Sequence, residues 1–164
     1  MQIAQIDLAT ATVEDIEQAR KDCRRMVSRR ALVSGVAVLV PLPGTDILAD
    51  VSMLMQLLPK INERFGLSAE QVEELSPELK IMLFDLARRM GSNLAGKVVT
   101  TSLVSSLVLK MGTRLGVKSV AKFVPVLGQA TAAAISISMM RYVGNSHVDA
   151  CYRLACQLVT RREL

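Results

Sequence analysis

Residues Val40 to Asp50 read VPLPGTDILAD. Two prolines and a glycine interrupt one of the most apolar stretches of the chain, and Asp46 and Asp50 follow four residues apart. Proline cannot donate to a helical ladder and disfavours the αR region in the residue before it. Pro41 and Pro43 therefore close a helix that reaches about Val40. Gly44 permits a tight reversal, and the next helix opens at about Asp46. A rigid turn between two apolar helices makes a helical hairpin, which sets the expected fold class as all-α.

The chain reads outward from this turn as further helices. Upstream, the Thr12 hydroxyl can cap a helix whose first turns carry Glu14, Asp15 and Glu17, where negative charge complements the macrodipole. Ile16, Ala19, Cys23, Met26 and Val27 then recur at a three-to-four spacing, and the helix is uniformly apolar after Arg30. Residues 1–11 show no period and are expected to form a flexible N-terminus ahead of a single helical domain over 12–164. Downstream, the helix from Asp46 is predicted to end at Arg64 with Gly66 as its cap. Ser68 and Gln71 fit a capping box, and Ser76-Pro77 opens a helix that displays Leu79, Met82, Leu83, Leu86 and Met90 on one side.

Further helices are predicted over Ser92–Met111, Thr113–Phe123, Gln129–Tyr142 and Ser146–Arg161. Val124-Pro125-Val126-Leu127-Gly128 repeats the V-P-x-x-G pattern of residues 40–44, so Pro125 and Gly128 are read as the turn of a second apolar hairpin. The expected architecture is a compact bundle of about six to eight helices with two hairpins turned by proline and glycine.

Composition narrows the function classes. The 164 residues suit one domain, and 51% of them are hydrophobic while only 3% are aromatic, with nine Met and no Trp. Aliphatic, small side chains favour close-packed helices over a sandwich of strands. The formal charge of +5 is uneven: residues 91–164 hold nine Lys or Arg against two Asp or Glu. Such a half can face an anionic membrane or an acidic partner. Nucleic acid is disfavoured, because no binding motif is present and there are few aromatics to stack on bases. Cys23, Cys151 and Cys156 lack a CxxC spacing and suit a reduced cytoplasmic protein. The opening MQIAQIDLATATVED has neither a basic leader nor a continuous apolar core, so secretion is not expected.

The uncharged runs are too brief for conventional spanning helices. Phe123 to Met140 is the longest, yet Pro125 and Gly128 interrupt it and Ala, Ser and Thr dilute it. Such segments shelter against one another or lie shallowly in one leaflet.

Candidate sites follow from charge placement. Asp46 and Asp50 project from one helix face, either as a cap with a polar contact to another helix or as a contact for a partner or ligand. Lys110, Arg114, Lys118 and Lys122 recur at a spacing of four and make a basic stripe, either a solvated face or a contact for anionic headgroups or an acidic partner. Arg20, Arg24, Arg25 and Arg29 form a second basic set. The single histidine, His147, is two positions from Asp149, and residues so spaced on a helix do not face each other, so no catalytic triad is expected. No metal-ligand cluster or cofactor motif is present in the sequence. Met53, Met55, Met139 and Met140 are core filler or the lining of an adaptable surface.

RRALVSGVAVLVPLPGTDILADVSMLMQLLPKINERFGLS, followed by VAKFVPVLGQATAAAISISMMRYVGNSHVDACYRL, resembles a YcjF-like bacterial family of helical domains attached to or encoded beside GTPases. The likeness covers about residues 29–154. Its most specific element is PxPGxD, here Pro41, Pro43, Gly44 and Asp46. The resemblance implies a non-enzymatic, membrane-associated helical module on the inner face of the cytoplasmic membrane, working with a dynamin-like or Era-like GTPase. The chain has no GxxxxGK[ST] phosphate loop, so nucleotide hydrolysis would belong to that partner. The alternative expectation is a soluble cytosolic interaction protein, an adaptor or a toxin-immunity protein, with the apolar helices as its core. Both expectations allow a homo-oligomer.

Overall fold

The structure, a computed structural model, describes residues 5–37, 45–90 and 125–163, with side-chain surroundings over 5–33, 52–90 and 133–163. Every regular element among them is an α-helix: α1 (Val13–Ala37), α2 (Thr45–Arg64), α3 (Ala69–Glu74), α4 (Pro77–Arg89) and α5 (Pro125–Arg162). The all-α expectation holds over these residues. The turn residues Pro41, Pro43 and Gly44 and the predicted helices over 92–111 and 113–123 lie outside them.

Local chemistry sets the helix ends where the sequence placed them. The Thr12 hydroxyl accepts from the Asp15 N–H at 3.2 Å, and the Asp15 carboxylate accepts in return from the Thr12 N–H at 2.9 Å, so α1 begins on a reciprocal cap. At the end of α2, Gly66 takes φ +70°. The Leu67 N–H then reaches the Asn62 carbonyl at 2.8 Å and the Gly66 N–H reaches that of Glu63 at 3.2 Å, which is a Schellman closure. A Cβ at Gly66 would also stand 2.6 Å from the Ile6 carbonyl oxygen. Ser68 and Gln71 form the expected capping box before α3, and Ser76 caps α4 with Pro77 at its first position. Pro59 interrupts the donor ladder of α2 without ending it. It lies on the exposed side, where water can satisfy the carbonyl left without a partner.

The core forms where the apolar stripes of four helices meet. Ile16, Ala19, Cys23, Val27 and Ala31 of α1 are all buried, as are Leu54, Leu57 and Ile61 of α2. They join Leu83, Leu86 and Ala87 of α4 and Met140, Val148, Leu154 and Leu158 of α5 in one cluster. Helices α1 and α5 run antiparallel: Arg20 reaches Asp149 while Val27 touches Gly144. Gly144 is what lets them close, since a Cβ there would stand 2.7 Å from Val27 Cγ1.

One expectation is corrected. The segments 129–142 and 146–161 are one continuous helix, α5, which holds Pro125 and Gly128 in its first turn; the residues ahead of Pro125 that would complete the second hairpin lie outside the described ones. Proline is favoured at the first helical position. Gly144 serves close packing and does not break the helix. Residues 5–11, expected as part of a flexible N-terminus, lie against the bundle. Ile6, Leu8 and Ala11 are buried, and the Arg162 guanidinium donates to the Leu8 carbonyl at 2.7 Å and to the Ala11 carbonyl at 2.8 Å.

Candidate functional site

A polar seam runs through the α1–α2–α5 interface. His147 Nε2 on α5 lies 2.8 Å from Asn62 Oδ1 on α2, and Cys151 Sγ donates to the same oxygen at 3.4 Å. Burial pushes the His147 pKa down to about 4, and the Leu58 carbonyl beside it offsets only part of this. The ring is therefore neutral at pH 7 and can donate from Nε2 to Asn62. Burial raises the Cys23 thiol to about 12 and pushes Cys151 up as well, so both are protonated and unreactive at neutral pH.

Ion pairs flank this seam. Arg64 of α2, whose side chain is only 9% exposed, meets Asp22 of α1 at 2.9 Å. Asp149 of α5 holds Arg20 at 3.1 Å and Arg24 at 2.9 Å, and the Arg20 guanidinium also lies 4.4 Å from the centroid of the Tyr152 ring. Arg20 and Arg24, read from the sequence as part of a surface set, are thus held by an internal carboxylate. Asp22 and Glu17 are expected to neutralise part of that set, and Asp22 does meet Arg25 on its own helix; the pairings of Asp22 with Arg64, of Asp149 with Arg20 and Arg24, and of Asn62 with His147 escaped the sequence reading because they join different helices, and periodicity along one helix carries no trace of that.

The other notable surface is apolar. Antiparallel packing carries the last turns of α1 past Ala31 alongside Ile135 to Met140 of α5. Leu32 is 62% exposed there, Val33 56% and Ile135 41%. Just below them stands Tyr142, 66% exposed, and the contacts of Asn62 with His147 and Cys151 set α2 alongside α5 with exposed Met55 near the level of Tyr142. Val13 of α1 and Ile81 and Phe84 of α4 are exposed elsewhere on the bundle.

The sequence-derived candidates meet this end only in part. Asp46 and Asp50 lie in the first two turns of α2, and their side chains fall outside the described residues. Lys110, Arg114, Lys118 and Lys122 lie outside them altogether. Of the methionines, Met140 is core, Met53 packs against it, and Met55 is on the surface. Among the described residues, no cluster of three or more His, Cys, Asp or Glu could hold a metal ion. Among the same residues, no helix is long and apolar enough to cross a membrane. Comparison with protein-family models, with characterised proteins and with solved structures finds no match for this chain.

Proposed function

We propose that the chain is a non-enzymatic helical module that docks shallowly on the inner face of the cytoplasmic membrane through its apolar end and works there with a protein partner, a GTPase by the resemblance of residues 29–154. The observation that carries this reading is the exposure of Leu32, Val33 and Ile135 together at one end of the bundle, beyond the last charged residue of α1 and the first of α5; Val13, Ile81 and Phe84 are exposed elsewhere. The sequence next to that end is also apolar: residues 38–45 and 123–132 carry no charge. In this reading the segments outside the described residues complete a bundle of six to eight helices, with the turn at Pro41, Pro43 and Gly44 at the membrane. The basic stripe of Lys110, Arg114, Lys118 and Lys122 adds attraction to anionic lipid.

Flotation of the full chain with anionic vesicles at low and high salt tests the reading. A membrane binder assisted by charge floats and weakens as salt screens it. A chain that stays at the bottom at every salt concentration would refute membrane docking. That result would favour the soluble interaction protein, a reading supported by the continuous core from Ala31 to Leu158. Charge reversal at Lys110, Arg114, Lys118 and Lys122 should reduce flotation, and unchanged flotation would remove the stripe from the account.

A further inference from the structure

We propose that Arg29, Arg30 and Arg141, with Tyr142, form a collar that seats the apolar end on anionic phospholipid; this rests on the membrane reading above and names the lipid chemistry that it requires.

The level of the collar is set by helix register. Val27 of α1 faces Gly144 of α5 across the closest approach of two antiparallel helices. Three residues further along α1 comes Arg30, and three residues back along α5 comes Arg141, so the two stand at the same height. Both mark a boundary in charge. Arg30 is the last charged residue of α1, which is uncharged from Ala31 to Ala37, and Arg141 is the first of α5, which is uncharged from Pro125 to Met140. Two helices that run in opposite directions lose their charge at one level, as elements entering an apolar phase side by side would.

These arginines also make no ion pair among the described residues, a feature they share with Arg88 of α4 and Arg153 lower on α5. Lower on α1, Asp149 takes Arg20 and Arg24, and Asp22 takes Arg25 at 3.7 Å. Among the described residues, no ion pair engages Arg29, Arg30 or Arg141. A planar guanidinium matches a phosphate through two parallel hydrogen bonds, and its long stem can lie against an apolar surface while the head stays in water. Exposed Tyr142 stands beside Arg141, and tyrosine favours the headgroup level because its ring is apolar and its hydroxyl polar.

Depth follows from the same geometry. The uncharged end of α1 reaches about 10 Å beyond Arg30 at the rise of an α-helix, comparable to the burial of an interfacial helix. Helix α2 places Asp50 about 6 Å beyond the collar by its register against α5.

The test uses the full chain with vesicles of phosphatidylcholine, alone and mixed with phosphatidylglycerol. An arginine near an anionic surface contributes roughly fivefold to partitioning, so the triple variant R29Q/R30Q/R141Q should lose about a hundredfold on the mixed vesicles. On phosphatidylcholine alone it should match the wild type. Its thermal unfolding should also match, because these side chains make no described polar contact. A second readout uses the lack of tryptophan in the chain. Emission from the Tyr142→Trp variant should shift to the blue on mixed vesicles, and lipids brominated near the headgroup should quench it more than lipids brominated near the chain end. If the wild type floats and the triple variant floats equally, or if the deep bromines quench best, the collar is wrong and the membrane reading stands. If the wild type binds neither vesicle, both fall, and the unpaired arginines would then mark the seat of an acidic protein.

Discussion

Replacing Gly144 by alanine tests the packing that defines the bundle, because two simple arguments give opposite signs. By helix propensity, Gly→Ala in the interior of α5 should stabilise the protein by about 1 kcal/mol. By packing, the new Cβ would stand 2.7 Å from Val27 Cγ1, 2.9 Å from Cγ2 and 3.4 Å from Cβ. Carbon atoms prefer about 3.5–4 Å, so both methyls overlap it, and turning the valine about χ1 only exchanges one methyl for the other. Valine in a helix also holds one strongly preferred rotamer. Overpacking of this kind costs about 1–3 kcal/mol, which leaves a net loss of about 1 kcal/mol after the propensity gain. Urea unfolding followed by circular dichroism reads this as a lower midpoint at constant slope. The decisive arm is the double variant Val27→Ala/Gly144→Ala. Removing the valine methyls makes room for the new one, so the cycle should show a favourable coupling of at least about 1 kcal/mol. Stabilisation by Gly144→Ala alone, or additivity within about 0.5 kcal/mol, would refute the close contact between α1 and α5.

Three further outcomes follow from the polar seam and the N-terminal tether. The His147 pKa falls from 6.5 to about 4 on folding, so the unfolded chain takes up a proton before the folded one does. Its contribution is complete above pH 6.5 and is lost as pH falls towards 4, by at most about 3 kcal/mol. His147→Gln should flatten the stability profile in that window, and parallel profiles for variant and wild type would contradict the assignment. Asp22→Ala leaves the Arg64 charge, 9% exposed, without its carboxylate and should cost about 3 kcal/mol in denaturant unfolding; a loss below about 1 kcal/mol would mean that water already satisfies Arg64. Arg162→Met keeps the stem but removes the donors to the Leu8 and Ala11 carbonyls, so amide exchange over residues 5–12 should rise by roughly tenfold or more while the α1–α5 core stays protected.

Legibility in the sequence tracked the range of each interaction. The Thr12 cap, the Ser68–Gln71 box, the Ser76-Pro77 start and the Gly66 stop were all readable, because each is made between residues a few positions apart. The apolar face of α4 was readable for the same reason, since Leu83 and Leu86 are one turn apart and both are buried. Glycine and proline in α5 misled. Their local meaning is a break, yet Pro125 starts the helix and Gly144 is required by Val27 on a helix far away in sequence. The N-terminal residues show no period, and their contacts come from far along the chain, from Arg162 and from the backbone around Gly66.

The order of residues along the chain was sufficient to determine that this protein is helical and where most of its described helices begin and end, because helix termini are settled by hydrogen bonds spanning three or four residues. Only the tertiary structure decided which arginines are neutralised within the bundle and which make no ion pair among the described residues. Asp149 claims Arg20 and Arg24 because antiparallel packing of α1 on α5 brings it there, while the same register leaves Arg29, Arg30 and Arg141 at the edge of the apolar end. Which partner a charge finds is a property of packing geometry, and a helix read alone does not contain it.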